Sequence, residues 1–260
     1  MRPVFLSIVI PTYNEEALIS DTLGQVAEFL SNREYTWEVV VADDGSTDAT
    51  ARLVEDFAKD NPQVRLLGLS HHGKGWAVRE GMLQACGQYR FLCDADLSMP
   101  IEQVERFLPP QAVGLDLAIG SREVAGARRI GEPAYRHIMG RFYNALVRIL
   151  VVPGVRDTQC GFKCFRSDIV PSLFLRQTME GFAFDVEVLF LARKDKLSIG
   201  EIGIDWHFRQ GSKVHPLRDS LVMTRDLLII RWRNWRGRYD RGYPGNAMEE
   251  NTPGNDRDGG

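Results

Sequence analysis

Neither sign of charge dominates these 260 residues: 32 Lys and Arg stand against 35 Asp and Glu. That argues against a general nucleic-acid binder, which would carry a strongly basic balance. Cysteine is scarce as well. The four present, Cys86, Cys93, Cys160 and Cys164, are too few for a disulfide framework in a chain of this length. No signal-peptide pattern leads the sequence, so reduced thiols in a cytosolic setting are expected. Cys160 and Cys164 lack the second Cys or His pair that would complete a zinc site, and buried thiols are the expectation. Long apolar runs are missing too, since none reaches the ~18 residues that a membrane span requires. The nearest, Ile149 to Val155, contains Pro153 and Gly154 and is bracketed by Arg148 and Arg156. Any membrane contact is therefore expected to be peripheral.

What is present, first, is alternation. Short β-branched runs at Leu6 to Ile10, Trp37 to Ala42, Val64 to Leu69, Phe91 to Cys93 and Leu115 to Gly120 read as strands. Between them Ala17 to Leu30, Asp48 to Lys59 and Trp76 to Cys86 carry helical periodicity. This predicts an α/β fold with a parallel sheet flanked by helices. Past Ser121 the alternation fails. A long amphipathic stretch, Tyr135 to Val152, sets His137, Arg141, Asn144 and Arg148 on one side of a helix and Ile138, Phe142, Leu146 and Ile149 on a broad apolar face. That face predicts either a core helix or one lying in a membrane interface. A second such segment, Leu217 to Trp235, carries Trp232, Trp235, Arg231 and Arg233, with Arg236 directly after it. From Gly237 onward the polar composition predicts disorder. One domain over residues 1 to 236 is expected, with a nucleotide-binding half to about 121 and an acceptor-binding half from about 122.

In parallel sheets ligands bind beyond the carboxyl ends of the strands. The polar motifs sit there. Pro11-Thr12-Tyr13-Asn14-Glu15-Glu16 follows the first strand and Asp43-Asp44-Gly45-Ser46-Thr47-Asp48 the second. Asp48 suits a helix N-cap. The adjacent acids Asp43 and Asp44 repel unless something donates hydrogen bonds to them, as the base and ribose of a nucleotide could. His71-His72-Gly73-Lys74-Gly75 follows the third strand, where Lys74 and a helix amino terminus could meet a phosphate. Cys93-Asp94-Ala95-Asp96 ends the fourth. Two carboxylates one residue apart can hold a hard cation that also bridges two phosphates, which suits Mg2+ or Mn2+.

This ordered set resembles the family 2 glycosyltransferases of the GT-A fold. Gly120-Ser121-Arg122, Arg156 to Lys163, Phe184-Asp185-Val186-Glu187 and Gly211-Ser212-Lys213 resemble the dolichyl-phosphate β-glucosyltransferase branch in particular. The resemblance implies a nucleotide-sugar donor, UDP-glucose by preference, held by Pro11, Tyr13, Glu15 and Asp43 or Asp44, with Lys74 and Arg209 on its phosphates. Asp94 and Asp96 would serve the metal and diphosphate. Arg122, with Gln159 and Lys213, would face the phosphate of a polyprenyl acceptor, and Arg209 and Lys213 would close over the site. Eukaryotic members carry an amino-terminal membrane span, whereas this sequence begins almost at its first strand. Acceptor access is thus expected to depend on the amphipathic segments, in a peripheral position on the cytoplasmic face of a membrane.

The expected chemistry is an inverting displacement by the acceptor phosphate. A phosphate monoester, with its second pKa near ~6, needs little help from a base. Asp157 could position the acceptor or act as that base, while Asp185, at the start of a predicted helix, suits an N-cap. Alternatives are a hydroxyl acceptor, another sugar such as mannose, and a non-catalytic nucleotide-sugar binder.

Overall fold

A computed structural model describes residues 3–133, 141, 144–209 and 216–240. The elements are β1 (Leu6–Thr12), α1 (Ile19–Ser31), β2 (Trp37–Asp43), α2 (Thr50–Asp60), β3 (Val64–Gly68), α3 (Lys74–Gln84), β4 (Tyr89–Cys93) and a 3-10 helix (Ile101–Phe107). After these come β5 (Leu117–Ser121), β6 (Arg128–Ile130), α4 (144–150), β7 (Phe162–Arg166), α5 (Val170–Phe174) and α6 (Phe184–Lys194). β8 (Ile199–Gly203), β9 (Asp205–His207) and α7 (Pro216–Trp235) complete the described chain.

The strands form a seven-stranded sheet in the order β3-β2-β1-β4-β7-β5-β8 and a two-stranded one, β6-β9. All pairs in the large sheet are parallel except the two that β7 makes with β4 and β5. The sequence places all five of its predicted strands within a residue or two. It does not anticipate that β7 runs antiparallel between the fourth and fifth.

Period-two alternation divides the strand side chains between two cores. Val9 and Val40 face one, built with α3, α5, α6 and α7. Ile8, Ile10, Val39 and Val41 face the other, under α1 and the 3-10 helix. Full burial of each such aliphatic side chain contributes ~1.5–3 kcal/mol. α1 buries Ile19, Leu23, Val26, Ala27 and Leu30, the spacing of one helical face. α3 lies closer to the sheet, because a Cβ on Gly81 would stand 2.5 Å from Val9 Cγ1. α6 is buried from Phe184 through Ala192, so it packs on every side.

Two expectations change here. In α4, Asn144 is buried and Ile149 is 80% exposed, the reverse of the predicted faces. Asn144 turns inward because its Oδ1 accepts a hydrogen bond from Thr158 Oγ1, while Val147, Val151 and Val152 supply the apolar contact. Residues 134–140, 142 and 143 of that stretch lie outside the described residues. The body also runs beyond 236: Gly237, at φ +71°, ends α7, with its N–H on Asn234 O and that of Arg238 on Arg233 O. That left-handed terminus, which favours glycine, turns Tyr239 into the core at 1% exposure. Cys160 and Cys164 are buried as expected, as is Cys93, while Cys86 is exposed.

Candidate active site

Because six strands share one direction and β7 opposes them, the carboxyl ends of β1 to β5 and the amino end of β7 lie on one edge of the sheet. Every motif singled out above on those strands meets there.

Beyond β1 and β2 the two loops lace together. Asn14 N–H donates to Ser46 Oγ, Thr47 N–H to Asn14 Oδ1, and Glu15 N–H to Thr50 Oγ1. Asp43 accepts from Thr12 Oγ1 and from the N–H and Oγ of Ser46. Asp44 accepts from the N–H groups of His72 and Gly73, and His71 Nδ1 lies 2.8 Å from it. The hydrogen bonds expected from a ligand thus come from the protein, and these acids, 3% and 2% exposed, shape the loops. Asp48 binds Thr50 N–H and Oγ1, one residue ahead of the structural N-cap Ala49. Pro11 is buried in β1, whereas Tyr13 is 36% exposed and stacks on the His71 ring, centroids 4.2 Å apart.

At the end of β4 the chain turns sharply: Leu97 has φ +44°, rare for a branched side chain and a mark of a constrained turn. Ser98 donates its N–H and Oγ to the Asp96 carboxylate. Asp94 Oδ1 is buried, with Lys74 Nζ at 2.7 Å. Burial works to lower the Lys74 pKa, but Asp94, Asp185 and Asp96 outweigh it and hold the ammonium above its ordinary value. The α3 terminus behind Lys74 departs from expectation. Gly75 and Trp76 give their N–H groups to Glu180 O, so that helix end is already capped by protein and Lys74 alone is left for a phosphate.

Asp94 and Asp96 could hold a divalent cation. No group of three or more His, Cys, Asp or Glu gathers among the described residues, so such an ion would complete its shell from diphosphate and water, as hard dications do. The approach to Asp94 is tight, since a Cβ on Gly161 would come within 2.0 Å of its carboxylate.

After β5, Arg122 reaches Asp157. Nε and Nη2 donate to the two carboxylate oxygens at 2.7 and 2.9 Å, and the Arg122 N–H adds a third bond. Burial would raise the Asp157 pKa, yet the guanidinium outweighs it and brings it down to about 2. Glu201 holds the Asp157 N–H from behind, and Arg122 lies 5.4 Å above the Trp206 ring. Lys163, 1% exposed, pairs with Asp185 at 2.5 Å. Burial holds the Asp185 carboxyl above its ordinary value against the pull of Lys163 and Lys74. Asp185 falls in the first turn of α6, whose N-cap is Ala183. It is a charge partner rather than a cap.

Residues 7–174 match the family described as "Glycosyl transferase family 2". The chain belongs to that family. Among curated relatives, the dolichyl-phosphate beta-glucosyltransferase of Saccharomyces cerevisiae is 37% identical over 248 residues, covering 88% of this chain and 74% of that protein. The protein of the same name from Homo sapiens is 34% identical over 247 residues, covering 89% and 76%. Among solved structures, mannosyl-3-phosphoglycerate synthase from Rubrobacter xylanophilus has a TM-score of 0.65 at 17% identity, covering 96% of this chain and 78% of that one. Glucosyl-3-phosphoglycerate synthase from Mycobacterium tuberculosis, in complex with Mn2+, UDP-glucose and glycerol 3-phosphate, has a TM-score of 0.61 at 20% identity, covering 87% and 78%. The fold is GT-A.

For a family 2 glycosyltransferase, the sequence reading brings Tyr13, Lys74, Asp94, Asp96, Arg122 and Asp157 to one edge. Glu15 and Gln159 are half-buried there, each already engaged within the protein. Arg209 is exposed at the end of the described segment, and Lys213 lies outside the described residues. The reading missed the roles of Gly161, Lys163 and Trp206. Gly161 and Lys163 carried a signal, a glycine and a lysine at the mouth of a strand. Trp206 carried none, because β9 is too short to declare itself.

Proposed function

We propose that this glycosyltransferase moves glucose from UDP-glucose to a polyprenyl phosphate of the dolichyl type, with inversion at the anomeric carbon. The observation that carries the reading is the Arg122–Asp157 fork on the same sheet edge as the Asp94–Lys74 pair, a cationic seat for an acceptor phosphate beside one for a diphosphate. The names of the relatives support glucose and dolichyl phosphate.

In this reading the uracil lies against Tyr13 and the His71 ring, with Pro11 and Glu15 lining the loop and Asp43 and Asp44 keeping it in shape. Lys74 leaves Asp94 for the diphosphate when the donor enters, and Arg209 and Lys213 approach the phosphates from the following loop. A Mg2+ or Mn2+ ion on Asp94 and Asp96 would neutralise the charge of the departing diphosphate. The acceptor phosphate sits at Arg122 with Gln159 at its side. One of its oxygens attacks the anomeric carbon, the bond from that carbon to the diphosphate oxygen breaks, and UDP leaves with the electron pair. Asp157, ionised and committed to Arg122, orients the guanidinium rather than taking a proton. A largely dianionic phosphate needs no base.

Acceptor access favours a peripheral position on the cytoplasmic face of a membrane. Leu228, Trp232 and Trp235 form an exposed stripe at i, i+4, i+7 on α7, flanked by Arg225, Arg231 and Arg236. Such a face suits an interface, and no helix among the described residues is long and apolar enough to cross a membrane.

The test is a screen of nucleotide sugars with a short polyprenyl phosphate and either metal, read by mass spectrometry. Glucosyl phosphate lipid formed from UDP-glucose, and its loss in Asp94→Asn, is the expected result. Failure to form a glycosyl phosphate lipid from any donor with a phosphate acceptor of any length would overturn the reading.

A further inference from the structure

Past the first turn of α3, that helix, the 175–180 loop and the end of α7 line a cleft of about 320 Å³. Its walls include Trp76, Arg79, Gln177, Glu180, Arg233 and Arg238. Two of these have a buried polar atom with no hydrogen-bond partner among the described residues: the indole Nε1 of Trp76 and Oε1 of Gln177. The Gln177 amide is fixed in orientation, because Nε2 donates to Gly75 O at 2.8 Å and Met179 O at 2.9 Å. Oε1 is therefore an acceptor held in place at 5% residue exposure. Two residues that line the same cleft thus carry one unfilled donor and one unfilled acceptor. A buried polar group left unpaired costs stability, which a ligand offering both functions recovers.

Charge narrows the ligand. Arg79 anchors through Nε to Phe174 O and lies over the Trp76 ring, its centroid 5.2 Å away. Arg233 reaches Thr178 Oγ1 through Nη1, and Arg238 is placed beside it by the left-handed turn at Gly237. Two acids act on these guanidiniums: Glu80 lies 3.6 Å from Arg79, and Asp226 attracts Arg233. Glu180 leans toward His72 at 3.9 Å, and the buried Glu187 accepts from Thr178, Met179 and Tyr239. Three arginines and, among the described residues, a single acid, Glu180, thus line the cleft.

We infer that this cleft is a second anion site, which takes a phosphate group carrying a proton or a neighbouring hydroxyl. The guanidiniums pair with its oxygens, the Trp76 N–H donates to one of them, and the hydroxyl donates to Gln177 Oε1. Both inorganic phosphate and the headgroup of an acidic phospholipid offer that chemistry. Leu175, 50% exposed on the wall, and the Trp232–Trp235 stripe nearby on α7 are compatible with the latter.

The experiment follows the Trp76 indole N–H by NMR in the full chain, the resonance being assigned with Trp76→Phe. Inorganic phosphate is titrated against chloride at matched ionic strength, and then bicelles of phosphatidylcholine with and without phosphatidic acid. A saturable shift with phosphate supports the site with a free anion; a shift with acidic bicelles alone supports it with a lipid headgroup. Arg238→Ala should weaken the apparent affinity about tenfold, as expected for loss of one charged hydrogen-bond partner, and Lys74→Met should leave it unchanged. No shift with either probe overturns the inference. So does an equal shift with chloride, or a response abolished by Lys74→Met and untouched by Arg238→Ala, which would place the anion at the sheet edge.

Discussion

Asp157 shows how far the surroundings of a carboxylate decide its use. A base must accept a proton near neutrality, and this group is held at about 2 by its fork with Arg122. Asp157→Asn should cut turnover with a lipid phosphate by at least ~100-fold, since it frees the arginine that seats the acceptor. The discriminating readout is the pH profile: removal of a base would erase an acidic limb of kcat, whereas removal of a positioning group lowers the curve without moving it. The same pair has a consequence for stability. A carboxyl with a folded pKa below its unfolded value of ~3.9 stabilises above that value, and the contribution is lost as pH falls through about 2. Urea midpoints should therefore show the advantage of the native chain over Asp157→Asn narrowing between pH 4 and pH 2, by on the order of 2 kcal/mol.

The strand that most shapes the site is β7. Its register sets Phe162 opposite Cys93, so Gly161 falls against Asp94. Gly161→Ala would drive a methyl group to within 2.0 Å of that carboxylate, and backbone on both sides leaves the side chain as the part that gives. Turnover should fall at least ~10-fold at saturating donor, with thermal stability lowered by ~1–3 kcal/mol, the usual cost of overpacking. A variant with native turnover would show that Asp94 need not stand where the structure has it. The same strand marks the boundary of what could be read in advance. β1 and β2 announce themselves because each is a buried β-branched run with a helix behind it, and β3 and β4 repeat their spacing. Phe162–Arg166 alternates no more clearly than a loop, and its partners lie about 70 and 45 residues away along the chain, so nothing local declares it. The Asp43–Asp44 pair misled for a related reason. The donors to Asp44 are backbone amides of a loop nearly 30 residues on, and Asp43 takes its own from Thr12 and Ser46, pairings that composition does not reveal.

Across the molecule, the start of α3 and the end of α7 are joined through Glu187. Buried completely, it gathers Thr178 N–H and Oγ1, Met179 N–H and the Tyr239 hydroxyl, and so ties the end of the described chain to the loop that caps α3. Tyr239→Phe should cost ~1–2 kcal/mol in urea unfolding. It should also speed amide exchange at Gly75 and Trp76, whose acceptor belongs to that loop; unchanged exchange there would separate the two. The antiparallel strand has one more implication, for the order in which the protein is made. As the chain leaves the ribosome, β1 to β4 emerge with the fourth strand as an open edge, and its neighbour is some 70 residues from completion. Until then the main-chain groups of Tyr89–Cys93 are available to any other extended segment. A nascent chain stalled with β4 clear of the exit tunnel and β7 not yet made should therefore depend on chaperones to stay soluble, whereas one stalled with β7 and β8 both clear should not.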